Sequence, residues 1–231
     1  MHEKIYKFVS HFYLLMENNL NFILEKESSL GNNLTREKAE LKFFHLELAR
    51  VAAIRRIEKG NHNPYRHGDQ IVAYAEGICQ EMAIPQDERF LIECAAKWHD
   101  IGKIKIPQRI LDKPSNLTEK EWEIIKKHPI YSEDLIKPFG YIAGIARYHH
   151  EWIDGSGYPD GLKNGKILLG SKIIAVIDSY NAMTHDRGYN HVKIPQQAIE
   201  ELEKYKGIQF DRDVVDCFIK VLNLRKKSVS F

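Results

Sequence analysis

Histidine and aspartate stand side by side at positions 99 and 100 of this 231-residue chain, in the string WHDIGK. Successive side chains on a helix point about 100° apart, so the two cannot face the same way. They can serve two neighbouring metal ions, with the His99 imidazole on one and the two oxygens of the Asp100 carboxylate reaching from that ion to a second. A helix that stops at Ile101-Gly102 would aim both groups from its last turn. Lys103, just beyond, would set a fixed positive charge beside the ions, where an anionic substrate would sit.

Alone, the pair would mean little, because a histidine near a helix C-terminus simply complements the dipole. Other residues add weight. His67 opens one helical pattern, His128 closes another, and His149 and His150 are adjacent. Asp178 falls in the apolar run KIIAVIDSY, where a carboxylate is costly unless paired or coordinated. Such a nitrogen and oxygen donor set without sulfur suits iron, manganese, nickel or zinc. Cys79, Cys94 and Cys217 are far apart and form no CxxC pair, which argues against a thiolate site and a disulfide framework and makes a reducing cytoplasm the expected location.

The elements that must position these groups read as helices. Apolar spacing predicts helices over 66–83, 87–99, about 131–136, 140–150, 170–184, 195–205 and 212–224. The capping box Thr118-Glu119-Lys120-Glu121 opens another that ends near His128-Pro129. The stretch 172–177 is too apolar to assign by periodicity but lies within a longer pattern that suits a buried helix. Two amphipathic helices are expected in residues 1–60, joined at SSLGNNLT, as a hairpin that packs on the main domain or on a second copy. The fold class is all-α. Thirty-four basic against 32 acidic residues give a formal charge of +2, no footprint for long nucleic acid or an anionic membrane surface. No stretch reaches the roughly 18 apolar residues of a spanning helix, so no membrane insertion is expected.

Taken together, His67, HDIGK (99–103), His128-Pro129, HHEWIDGSGYP (149–159) and Asp178 resemble the HD-GYP domain, a branch of the HD metal-dependent phosphohydrolases. The resemblance runs over about residues 64–222, leaving 1–60 as an N-terminal segment of unknown role and 223–231 as a short basic tail, with Arg225, Lys226 and Lys227 solvated. It implies an HD-type helical core and a phosphodiesterase that cleaves cyclic di-GMP to linear pGpG or GMP through a metal-bridging hydroxide. By the same resemblance His67, His99, Asp100, His128, His149, His150 and Asp178 hold two divalent ions, iron or manganese first. Asp100 and Lys103 are then catalytic, and Lys103, Tyr158 and Arg187 contact substrate. It further implies a bacterial signalling setting, with a diguanylate cyclase domain as partner and a homodimer through the N-terminal helices as expectations.

The chain departs from that pattern in places. Asn63 stands where some members carry a metal-binding carboxylate, which favours two ions over three. Gln70 replaces a usual arginine, Asn181 an aspartate, and Asn190 a second basic residue after Arg187. The last two thin the charge of the pocket. Mixed cyclic GMP-AMP is therefore kept as an alternative substrate. Two other functions stay open: a slow or inactive cyclic-dinucleotide receptor, and a general nucleotide phosphohydrolase, which would leave the GYP segment unexplained. His2, His11, His45, His62, His185 and His191 have no motif claim, and Cys79 and Cys94 read as buried small residues.

Overall fold

Helical periodicity dominates the chain, and helices dominate its structure. The computed structural model describes residues 64–185 and 192–228, together with Leu24, Glu25 and Ser28, which are helical; side chains are described over 70–185 and 192–225. The remaining expectations for the N-terminal hairpin fall outside the described residues, as do Arg187, Asn190 and the side chain of His67. Leu24 packs against the core.

In chain order the helices are α1 (Pro64–Glu81), α2 (Gln86–Trp98), α3 (Gln108–Leu111), α4 (Glu119–Ile125), α5 (His128–Ile136), α6 (Gly140–Tyr148), α7 (Leu169–Thr184), α8 (Pro195–Lys204) and α9 (Arg212–Ser228). Among the described residues from 64 onward, two 3-10 segments, Ile101–Lys105 and Asn164–Lys166, complete the set, and no strand occurs among the described residues.

Helix α1 turns Ile71, Tyr74, Ala75 and Ile78 inward, the spacing of one helical face. Helix α7 is buried on most of its surface and packs against α1, α2, α6, α8 and α9. This explains why 172–177 shows no clear period, since a helix covered all round is apolar all round. Helix α9 returns across α1 and α7. There Phe218 meets Tyr74 and Tyr180 edge to face at 5.2 and 5.1 Å.

Three expectations need correction. Helix α2 ends at Trp98, with His99 as its helical cap and Asp100 already outside at φ −98°, ψ 4°, so the chain leaves the helix earlier than Ile101-Gly102. His128 opens α5 instead of closing a helix. Pro129 falls in the first turn, where its missing N–H would have been unsatisfied anyway, so a proline that looks like a stop is a start. The basic tail is not simply solvated: α9 runs to Ser228, and the Arg225 guanidinium donates to the Ala73 carbonyl at 2.7 Å and lies 4.7 Å from the Tyr74 ring centre. Its stem and planar head suit that docking. The capping box forms as expected, with Glu121 accepting from the Thr118 N–H at 2.8 Å and donating its own N–H to the Thr118 hydroxyl.

Candidate metal centre

Three helix ends converge on one buried cluster. His99 caps α2, His128 begins α5 and His149 caps α6, and each is almost fully buried. Each ring is oriented by its own helix: Nδ1 of His99, His128 and His149 lies 2.7, 2.8 and 2.7 Å from the carbonyl oxygen three residues earlier, at Ala96, Ile125 and Ala146. A carbonyl can only accept, so Nδ1 carries the proton and Nε2 is left to face the cluster. The Nε2 atoms of His128 and His149 approach to 3.4 Å.

The Asp100 carboxylate sits between two of these rings, with Oδ1 3.2 Å from His128 Nε2 and Oδ2 3.4 Å from His99 Nε2. Lys103 donates to the same Oδ2 at 2.6 Å. Burial opposes the Asp100 charge, yet Lys103 and the two histidines outweigh it and hold the carboxyl well below its ordinary range. Burial also presses against protonated His99, but the carboxylates of Asp100 and Asp178 overcome it and the net direction is upward. His149 moves the other way, far below the usual histidine range, through burial and the neighbouring rings of His150, His99 and His128. Burial and His128 likewise push His150 down to about 3.

Potential ligand atoms of His99, Asp100 and His149 all lie within 4.8 Å of one another, and so do those of His128, His149 and His150. Each set taken by itself fits a divalent ion; the two share His149, whose one free nitrogen serves a single ion, so a second ion needs further donors. His99 Nε2 is buried without a hydrogen-bond partner, since its 3.4 Å approach to Asp100 is not a well-formed bond, and His149 and His150 are held neutral with lone pairs to offer. Asp178, half-buried on α7, is close enough for its charge to act on His99, His150 and Tyr158. One turn further, Asn181 is fully buried with neither amide atom hydrogen-bonded.

Gly102 shows why a glycine follows the His-Asp pair. A Cβ there would overlap the His128 carbonyl oxygen and come within 2.5 Å of the Ser132 nitrogen, so only a bare backbone lets the 3-10 segment lie against α5. Ser132 ties the two together: its hydroxyl accepts from Gly102 N–H at 2.9 Å and donates to the His99 carbonyl at 2.6 Å. Sequence reasoning missed Ser132, since a serine one turn into a helix carries no signal of a contact 30 residues away.

The GYP segment folds over the cluster. The Tyr158 ring stacks on His150, centres 4.8 Å apart and planes 22° from parallel. Gly157 crosses the backbone of residues 150–152 so closely that a Cβ would lie 2.6 Å from both the Glu151 Cα and the His150 oxygen. Glu151, also missed as a working residue, is buried and accepts backbone N–H groups from Asp160, Gly161 and Leu162 at 2.6, 3.1 and 2.9 Å. Arg147 grips Asp160 through two nitrogens at 2.8 Å and pairs with Glu133 of α5. His185 lies apart from the cluster, bonded to the Asn181 carbonyl.

Residues 46–214 match the family described as HD domain. A cyclic di-GMP phosphodiesterase of Thermotoga maritima is 33% identical over 228 residues, spanning 96% of this chain and 60% of that protein. A 3'3'-cGAMP-specific phosphodiesterase of Vibrio cholerae is 33% identical over 167 residues, 70% of this chain and 36% of its own length. The chain thus spans less than two thirds of either relative. A solved HD-GYP-type protein from Bdellovibrio bacteriovorus, Bd1817, overlays 92% of this chain and 70% of its own with a TM-score of 0.60 at 16% identity, a likeness of fold. With its matched length and its clustered His-Asp pair, the chain belongs to the HD domain family, and it carries the HHEWIDGSGYP segment in addition.

Proposed function

We propose that the chain is a metal-dependent phosphodiesterase for cyclic dinucleotides, cyclic di-GMP first, giving the linear dinucleotide or GMP. The observation that carries this is the Asp100 carboxylate set between the Nε2 atoms of His99 and His128 with a lysine on its outer oxygen. In this reading His99, Asp100, His128, His149, His150 and Asp178, with His67, hold two divalent ions, iron or manganese. Bound there, such ions would activate water and neutralise charge on the phosphoryl group.

The chain's own groups have separate tasks. Asp100 lies between His99 of one donor set and His128 of the other. Lys103 holds its carboxylate and adds positive charge where the scissile phosphate must enter. Tyr158 is kept protonated, because burial and the charges of Asp100 and Asp178 push its phenol above the ordinary range, so its hydroxyl can donate to substrate. The stacked Tyr158 ring also shields His150 from water. Arg187 is the expected second phosphate contact. The named activities of the relatives support the substrate class, and the mixed cyclic GMP-AMP named for the Vibrio relative is the second candidate.

The test is turnover of both dinucleotides by protein loaded anaerobically with iron(II) or manganese(II). A chelated sample and Asp100→Ala serve as controls. Cleavage lost in both controls supports the reading; binding without turnover under every metal moves the protein to the receptor class.

A further inference from the structure

A cyclic dinucleotide carries two phosphodiesters, and the cluster with Lys103 accounts for one. The second must be met by another cation; Arg187, the expected contact, lies outside the described residues, and among the described residues the nearby cations are committed to different degrees. Lys103 is held by Asp100 at 2.6 Å and Arg147 by Asp160 and Glu133; Lys105 pairs only loosely with Asp134 at 3.6 Å, but its ammonium lies over the ring of Tyr131, 5.1 Å from the centre, and not over Tyr158. Lys126 differs. It caps the C-terminus of α4, two residues before His128, with its ammonium 6.0 Å from the centre of the Tyr158 ring that stacks on His150. Its ion-pair partner here, Glu123 at 2.8 Å, has a side chain 68% exposed, against 34% for Lys126. A surface pair of this kind is weak and yields readily to a stronger anion. The orbit of a four-carbon stem gives the ammonium reach over the Tyr158 ring, and an ammonium acts on phosphate as a mobile point charge.

Resting on the reading of a cyclic dinucleotide as substrate, we infer that Lys126 is a substrate-binding residue that holds the non-reacting phosphodiester at the edge of Tyr158. Its role is in affinity for a two-phosphate ring, not in the bond that breaks. Glu123 is its resting partner and is displaced when substrate enters.

The experiment compares metal-loaded wild type with Lys126→Met, Lys126→Arg and Glu123→Gln by calorimetry. One ligand is the hydrolysis-resistant bis-phosphorothioate of cyclic di-GMP; the other is linear GpG, which has both bases and a single phosphodiester. Lys126→Met should weaken the cyclic ligand about tenfold, in the range of a hydrogen bond to a charged group, and leave GpG unchanged. Lys126→Arg should retain most of the affinity, and Glu123→Gln should bind the cyclic ligand at least as well as wild type. Equal binding of the cyclic ligand by wild type and Lys126→Met would overturn the inference, and so would a parallel loss of both ligands. Should wild type itself fail to bind any cyclic dinucleotide while holding its metals, the substrate reading falls, an outcome distinct from either. Circular dichroism melts of each variant separate a folding defect from a binding one.

Discussion

Replacing Gly102 by alanine should loosen the metal cluster without replacing any side chain that faces it. Among the described residues the positive-φ glycines are Gly155, Gly161 and Gly207, so Gly102 is needed for close approach and not for a left-handed backbone. The added Cβ would overlap a backbone carbonyl oxygen at His128 and crowd the Ser132 nitrogen at 2.5 Å and its hydroxyl at 2.8 Å. No rotamer change relieves a backbone clash, so the 3-10 segment must draw away from α5. Overpacking of this kind costs about 1–3 kcal/mol. The movement also breaks the two hydrogen bonds through Ser132, about 1 kcal/mol each, for a total of about 3–5 kcal/mol. For a protein of this size that corresponds to a fall in Tm of about 6–20 °C. Because Asp100 caps the displaced segment and His99 directly precedes it, metal content after dialysis should fall as well. The assay is a thermal melt paired with elemental analysis, with Gly165→Ala as control, since a Cβ at 165 meets nothing within 4 Å. Gly102→Ala protein that melts within about 2 °C of wild type with its full metal content would refute the reasoning.

Two further outcomes follow from carboxylates, one half-buried and one buried. Burial, with the Glu76 carboxylate, pushes Glu93 up to about 7 from its ordinary 4.5. A carboxyl raised on folding binds protons that the unfolded chain releases, so it should lower stability as pH climbs from about 4.5 to 7. Glu93→Gln should therefore gain about 1–2 kcal/mol over wild type at pH 8, after discounting for partial exposure, and nothing at pH 4, as read by urea melts across the pH range. Glu151→Gln replaces the carboxyl group that accepts three backbone N–H groups and should cost about 2–3 kcal/mol. By freeing the Tyr158 turn it should raise KM for the dinucleotide while the metal content holds; an unchanged KM would show that the turn is held by other means.

The long helices were legible because each has one apolar face to repeat, and even 172–177 was recovered from its surroundings. The short segments were not: Ile101–Lys105, Gln108–Leu111 and Asn164–Lys166 are too brief to show a period. Pro129 misled because the same residue type marks a stop and a first turn, and only the flanking chain decides which. The cluster residues His99, Asp100, His128, His149 and His150 were readable as donors, and the structure brings them together. What supports them was not readable. Ser132 acts across 30 residues, and Arg225 docks on a helix 152 residues earlier. Glu151 lies inside the HHE string, yet its work is on the loop that follows it and depends on that loop folding back.

The three carbonyls that orient the imidazoles belong to the main chain of Ala96, Ile125 and Ala146. The outer support of the cluster is thus written in helix geometry and not in side-chain identity. A mutational scan should find those three positions permissive toward any residue that keeps the turn and fits the space. Comparison of sequences alone would pass over them, even though each decides which nitrogen of its histidine is free.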